Sequence, residues 1–540
     1  MPICENVENY LHYLHRNFTK RSLLCCIINL NIFVYIDVKL YTKRTYAPPL
    51  GRQNGGKMKD ISRNLTMLVD FYELTMGNGY FRSEMKDKIV YFDVFYRSNP
   101  DKGGYAIVAG LEQIIEYINA LHFDEDDISY LKSKGCFSED FLDYLRTFRF
   151  TGDMWAIPEG TVVFPGEPLL TVRAKAIEAQ FIETYLLLML NHQSLIATKA
   201  SRIVRAANGR AISEFGSRRA QGADAAILGA RAAYIGGCSG TACAIADEIY
   251  QVPASGTMAH AWVQMFGDEY KAFRTYCELN PYSSTLLVDT YNVLKSGVPN
   301  AIRAFNDVLK PLGIKKCAIR LDSGDITYLS QKAREMLDRA GWTECKIIAS
   351  NSLDEYIIRD LVMQGAKIDA FGVGERLITA KSDPVFGCVY KVCAVENENG
   401  EIEPRIKLSE NVQKITTPHF KKVYRIYDNE TAKAEADLIT VYDETVDYSK
   451  PIELFDPDFT WKRQTYTDIT IRELLVPIYR DGIQVYDLPD ISEIREHCKR
   501  ELNSMWSSVL RFENPHNYYV DLSEKLWKIK HEMITGQRNG

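Results

Sequence analysis

Residues 317–325 read CAIRLDSGD. A short apolar run leads into Arg320, and Asp322 and Asp325 then stand three apart around a Ser-Gly turn. A strand that finishes in charge usually finishes at a site. The same rhythm repeats from about residue 209 to 380. AISEF (211–215), TLLVD (285–289), KIIAS (346–350) and DAFGVG (369–374) are also short apolar runs, and helical spacing follows at 221–233, 298–310, 326–340 and 353–365. Repeated strand–helix units predict a parallel sheet with helices outside it. Each run ends in polar or small residues: Glu214, Asp289, Arg320 with Asp322, Ser350 with Asn351, Gly372 with Gly374. In a closed barrel these ends meet on one face, where chemistry is done. An open doubly wound sheet also binds ligands there, so the rhythm leaves closure undecided.

The flanks read differently. Residues 65–81 space their apolar side chains as a helix that breaks at Gly77 and Gly79. YFDVFYR (91–97) and YAIVA (105–109) read as strands, and LEQIIEYINAL (111–121) as an amphipathic helix. TVVF and LLTVR on either side of PGEP (165–168) read as a hairpin-like pair, and residues 176–207 as one long helix. From 386 the strands look antiparallel, and the tail is helical around 491–510.

A chain of 540 residues is long for one core, so two or three domains are expected. A net charge of −6 argues against a nucleic-acid partner but leaves room for a local basic pocket. The 12 cysteines show no CxxC pair, which fits free thiols in a reducing cytoplasm. The nine histidines show no zinc-ligand spacing. Residues 1–57 carry eight Lys/Arg against three Asp/Glu, opposite in sign to the remainder, and include an apolar run (22–36) short for a membrane span. They are expected to be an extension, disordered or not native, with Met58 as the true start and no membrane partner.

Four motifs carry candidate chemistry. EFGSRRAQGADAA (214–226) sets Arg218 and Arg219 between a strand and a helix start, an anion site or a solvated pair. Phe215 beside them offers a face for stacking; alone, such a ring is more often core. SGTMAHAW (255–262) holds His260 among small residues, a structural histidine or a base or nucleophile. LDSGD (321–325) binds Mg²⁺ or ribose hydroxyls through Asp322 and Asp325, or caps a turn. IDAFGVGERLIT (368–379) fits a phosphate cradle late in a barrel. Together they suit a phosphorylated sugar with metal-neutralised charge and a second, flat or anionic partner.

With these motifs assembled, the chain resembles the nicotinate phosphoribosyltransferases of low-GC Gram-positive bacteria. The resemblance runs from Met58 to near the C-terminus. It rests on DFYELTM (70–76), EFGSRRAQG (214–222), GTMAHAWV (256–263), LLVDTYN (286–292), IRLDSGD (319–325), SNSLDE (350–355), FGVGERLIT (371–379), GCVYK (387–391) and NPHNYYVDLSEKLW (514–527). It implies the irregular α/β barrel of type II phosphoribosyltransferases, an open-faced sandwich domain and a C-terminal α+β extension. On that basis residues 58–190 form the first part of the sandwich and 191–385 the barrel with the active site. Residues 386–540 supply the return strands and a helical extension.

The implied reaction joins nicotinate to phosphoribosyl pyrophosphate, coupled to ATP through a phosphohistidine, with ATP and Mg²⁺ as cofactors and a homodimer completing the sites. The resemblance further implies roles. Tyr72 and Phe215 sandwich the pyridine ring, and Arg218 pairs the carboxylate. Arg320 lies near the base and pyrophosphate, and Asp322 holds the ribose hydroxyls with Asp289 orienting. Asn351, Ser352, Gly374 and Glu375 cradle the 5′-phosphate, Thr257 borders the base, and His260 takes the phosphoryl group. Many relatives carry Thr at the place of Glu375, so the contact there is expected through backbone N–H with the carboxylate turned away. Many have Asp where Asn292 stands, which leaves its role open. Ser239, where nicotinamide-specific relatives place an aspartate, is expected to favour the anionic acid. A nicotinamide or quinolinate enzyme and a silent nucleotide-binding barrel are the rival readings.

Overall fold

The computed structural model describes residues 64–536 apart from 412 and 413. The described residues all fall within one compact unit of the chain. The expectations for residues 1–57, for the apolar run within them and for Met58 lie outside the described residues. Among the described residues, no helix is long and apolar enough to cross a membrane.

A seven-stranded antiparallel sheet gathers strands from both ends of the unit. Its central strand, Ile89–Phe95, pairs on one side with Leu170–Lys175 and on the other with Val389–Glu396, in the register Val94↔Tyr390. Asp153–Ala156 and Val476–Arg480 extend it. A third group, Ile469–Glu473, Lys421–Asp428, Ala434–Val441 and Tyr519–Leu522, forms a separate four-stranded sheet near the helix Glu524–Gly536.

Between these lies the six-stranded parallel sheet that the strand–helix rhythm predicts. Its order is Gly240–Thr241, Ala211–Glu214, Ala370–Val373, Lys346–Ser350, Ala318–Leu321, Thr285–Leu287. The strand Gly240–Thr241 escapes sequence reading because two residues carry no periodicity. The edge strands do not pair with each other, but Ala254 bridges to Thr241 and Thr257 beyond it accepts from Arg320 on the fifth strand. The sheet therefore curls until its ends face across the mouth, an irregular barrel rather than a flat doubly wound sheet.

Three local expectations are corrected. The first helix, Phe71–Phe81, runs through Gly77 and Gly79. Gly77 is a packing residue: a Cβ there would lie 2.6 Å from Phe181 Cε1. The PGEP segment does not close a hairpin. Glu167 accepts from Phe164 N–H, while Gly166 and Leu169 donate to Tyr96 and Val94 carbonyls. These bonds pin the turn to the central strand, so Val162–Val163 pairs with Ala106–Ile107 instead. The long helix is two, Ala176–Phe181 and Glu183–Ala206, broken at Ile182.

Gly77→Ala forces Phe181, itself fully buried, out of its place. The substitution is expected to cost about 1–3 kcal/mol, read as a lower urea midpoint, with partial recovery in Gly77→Ala/Phe181→Leu. An unchanged midpoint would contradict the packing role.

Candidate functional site

Strand register builds the site in layers. Leu287, Arg320, Ile348, Ala370 and Ala211 are aligned across five strands. Two residues further on, Ser350, Gly372 and Ser213 are aligned in turn. Side chains alternate across a strand, so the second layer faces the same way as the first. Asp322 and Asp289, each two beyond an aligned residue, complete it. The Ser350 hydroxyl donates to Asp322 Oδ1.

Asp289 fastens the LDSGD turn. Its Oδ2 accepts from Asp322 N–H at 3.1 Å and from Ser323 Oγ at 2.6 Å. Its Oδ1 is buried without a hydrogen-bond partner and lies 4.0 Å from His260 Nε2. Asp322 Oδ2 lies 3.8 Å from the same nitrogen. His260 opens the helix His260–Phe266, with Nδ1 3.1 Å from Thr290 Oγ1 and the ring 40 % exposed. A histidine, two carboxylates and a guanidinium thus converge on one opening.

Arg320 donates from Nη1 to Thr257 Oγ1, while its Nε is buried and unpartnered. Burial lowers its pKa; Asp322 and Asp289 oppose that shift and the nearby Arg218 charge adds to it. Arg218 and Arg219 sit exposed on the turn Ser217–Arg219. Buried Glu214 folds this corner, accepting from Gly216 N–H and from Thr241 Oγ1 at 2.6 Å. Burial raises the Glu214 pKa. The Phe215 ring lies flat against Gly372, where a Cβ would come within 2.4 Å of it. That close approach, more than backbone freedom, is what the first Gly of the GVG stretch supplies. Ser239 is exposed next to the strand Ala211–Glu214, its Oγ donating to Ile212 O at 2.9 Å and 3.5 Å from Ser213 Oγ.

Two loops complete the rim. Asn351 and Ser352 hold left-handed backbones at φ 88° and 26°, which are costly for residues with a Cβ. Gly374 precedes the short helix Glu375–Ile378. The Glu375 carboxylate is drawn to Lys381 at 2.8 Å, a bond that lowers its pKa.

Two expected residues stand apart. Asp325 caps the helix Ile326–Arg339, with Oδ1 accepting from Tyr328 N–H at 3.0 Å, the plainer of its two readings. Tyr72 is 45 % exposed on the first helix, and the charges facing it are Glu183, Glu73 and Asp70 rather than the strand ends. Sequence reasoning missed Thr290, Ser323 and Thr241, which hold the reactive groups in place. The available signals were the adjacency of Thr290 to Asp289 and of Ser323 to Asp322.

Comparison with known proteins gives three family models in order. The nicotinate phosphoribosyltransferase N-terminal domain matches residues 67–191, the family model 210–446 and the C-terminal domain 420–530. The chain is 44 % identical to the nicotinate phosphoribosyltransferase of Bacillus subtilis over 474 residues, covering 87 % of this chain and 95 % of that protein. It is 32 % identical to that of Dictyostelium discoideum, covering 89 % and 90 %. The crystal structure of human nicotinic acid phosphoribosyltransferase superposes with a TM-score of 0.74 at 25 % identity, covering 86 % of this chain and all of that one.

If Asp325 serves only the helix, Asp325→Ser keeps the cap and leaves urea stability within about 0.5 kcal/mol, whereas Asp325→Ala loses about 1 kcal/mol. Equal losses in both variants would sink the capping assignment.

Proposed function

The chain belongs to the nicotinate phosphoribosyltransferase family, and we propose that its barrel mouth carries the family's transfer with ATP coupled through His260. It is an enzyme of NAD biosynthesis that converts nicotinate and phosphoribosyl pyrophosphate to nicotinate mononucleotide and pyrophosphate. In the coupled reaction ATP and water enter as well, and ADP and phosphate leave. The observation that carries this reading is the approach of His260 Nε2 to Asp322 and Asp289 beside Arg320.

The roles follow from the chemistry. The bond from ribose C1 to pyrophosphate breaks as the pyridine nitrogen attacks, and C1 becomes oxocarbenium-like. Positioning the two reactants supplies much of the rate. Phe215 holds one face of the ring, Arg218 pairs the nicotinate carboxylate, and Thr257, fixed by Arg320, borders the base. Asp322 accepts from the ribose hydroxyls, with Asp289 keeping its turn rigid. Backbone amides at Asn351, Ser352, Gly374 and Glu375 take the 5′-phosphate. Ser239 adds no negative charge beside the carboxylate, which favours nicotinate over nicotinamide; a reversed preference in a competition assay would overturn that assignment.

The site also suits Mg²⁺ arriving with the substrate. Asp289 Oδ1 is a buried, unpartnered hard donor, and Asp322 Oδ2 is close to the same point. Bound there, Mg²⁺ would neutralise charge on the departing pyrophosphate. Asp325 is the weaker candidate ligand because the helix already uses its carboxylate.

The transfer uses the tautomer in which Nδ1–H donates to Thr290 Oγ1, 3.1 Å away, and the lone pair sits on Nε2. Nε2 attacks the γ-phosphorus of ATP, the bond to the bridging oxygen breaks, and ADP leaves with the electron pair. Water later takes the phosphoryl group, releasing phosphate and restoring the ring.

Tyr72 acts from a second copy of the chain. It stands exposed among Leu68, Phe71 and Met76, a patch that supports a homodimer interface. None of the nine described cysteines is paired, which supports a reducing, cytoplasmic setting.

Two measurements test the reading. Nicotinate mononucleotide formation from nicotinate, phosphoribosyl pyrophosphate, ATP and Mg²⁺ should persist slowly in His260→Ala without ATP stimulation; retained stimulation rejects the phosphohistidine. Mixing inactive Tyr72→Ala with inactive Arg320→Ala should regenerate part of the activity through hybrid dimers. No recovery after subunit exchange rejects the shared site.

A further inference from the structure

Beneath the two phosphate-binding loops lies a buried cation that the reaction does not touch. Lys199, on the helix Glu183–Ala206, is 3 % exposed at its side chain. Its ammonium donates to Asp101 Oδ2 at 2.8 Å, Glu355 Oε1 at 2.9 Å and Ser382 Oγ at 2.7 Å. An ammonium has three donors, and each goes to a different segment. Glu355 opens the helix Glu355–Met363, three residues after Ser352. Ser382 closes the segment that begins at Gly374 and Glu375. Asp101 belongs to the turn Pro100–Lys102 beyond the central antiparallel strand, where its N–H donates to Asp383 Oδ2 at 3.0 Å.

One turn along the helix, Arg202 Nε donates to the same Glu355 oxygen at 2.9 Å. Nearer the surface the loops are clasped again by the Asp354–Arg376 ion pair. The left-handed backbones of Asn351 and Ser352, and of Asp101 and Lys102, persist only where surroundings over-determine them. A desolvated ammonium bonded to two carboxylates and a hydroxyl from three segments supplies such a constraint, because each broken contact leaves a buried charge under-solvated.

We infer that Lys199 is a positioning residue for phosphoribosyl pyrophosphate, setting the spacing between the Asn351–Ser352 and Gly374–Glu375 amides from below. The inference rests on the reading of those loops as the 5′-phosphate cradle. It separates the substrates: Phe215 and Arg218 follow the strand next to the Gly374 loop, but the three bonds of the Lys199 ammonium go to Asp101, Glu355 and Ser382, so nicotinate binding should not sense the change.

The test is steady-state kinetics of the full chain with each substrate varied at saturation of the other. Removing one hydrogen bond to Lys199 in Ser382→Ala should raise the KM for phosphoribosyl pyrophosphate about 3- to 10-fold. The KM for nicotinate should hold even as the melting temperature falls, because the buried ammonium loses an acceptor; the split between the two KM values is the readout. Ser382→Thr, which restores a hydroxyl, should return the KM toward the parent value. Lys199→Met should exceed the effect of Ser382→Ala if it folds; if it does not, the Ser382 pair decides. Ser352→Glu probes the cradle itself by placing a negative charge on it and should raise the same KM more than about tenfold. A silent Ser352→Glu overturns the cradle and the inference together. A strong Ser352→Glu effect beside an unchanged KM in Ser382→Ala overturns the role of Lys199 alone.

Discussion

A guanidinium with no access to water fixes how the antiparallel sheet meets the barrel. Arg231, on the helix Ala223–Ile235, is fully buried and bonds Glu112 at 2.6 Å, Glu159 at 2.8 Å and Gln193 at 3.0 Å. Burial pulls its pKa down, but Glu159 and Glu112 more than offset that and raise it. Breaking one arm of such a cluster costs about 3–5 kcal/mol because the other charges stay buried. Glu112 and Glu159 come from the segments that precede the barrel, and Gln193 from the long helix that leads into it. The cluster therefore aligns that helix, and Lys199 and Arg202 follow two turns later on it, under the rim.

The mouth itself is a balance of charges rather than a simple basic patch. Arg320 is held on the sheet with Asp322 and Asp289 at its side and Arg218 above it. The carboxylates keep a partly buried guanidinium ionised, yet they leave its Nε unbonded. The chain as a whole carries −6, so the cation pair at this rim is local design that net charge conceals.

Much of this was legible in sequence because strands with both faces covered read as continuous apolar runs, and their polar ends fall on one layer. CAIRLDSGD and the four runs around it all supply strands of one parallel sheet. What sequence could not give was pairing. PGEP looked like a hairpin because turn chemistry is local, whereas the bonds from Gly166 and Leu169 to the central strand are not. Gly77 looked like a helix stop because propensity is blind to the Phe181 ring beside it. The expectation for Glu375 came from the repulsion between a carboxylate and a phosphate, an argument that needs no tertiary contact; the bond to Lys381 is a tertiary detail that it could not supply. The role of Asp325 needed one: Asp-Ile-Thr-Tyr reads equally as a ligand or a cap until Tyr328 N–H is seen to be bound.

Three polar atoms at the mouth are buried without hydrogen-bond partners: Ser217 Oγ, Asp289 Oδ1 and Arg320 Nε. Left so, each costs about 1–3 kcal/mol. Elsewhere at the same strand ends the pairing is nearly complete: Glu214 with Thr241 and Gly216, Ser350 with Asp322, Thr290 with His260. A fold able to satisfy these groups so closely could satisfy three more. Their cost is recovered only when something with both acceptors and donors enters. A sugar bearing phosphates and hydroxyls offers both, to the arginine and serine on one side and to the carboxylate on the other. A carboxylate on a flat ring has acceptors for the arginine and serine but no donor for Asp289 Oδ1. On the function proposed above, binding of the phosphorylated sugar would be the event that pairs these atoms.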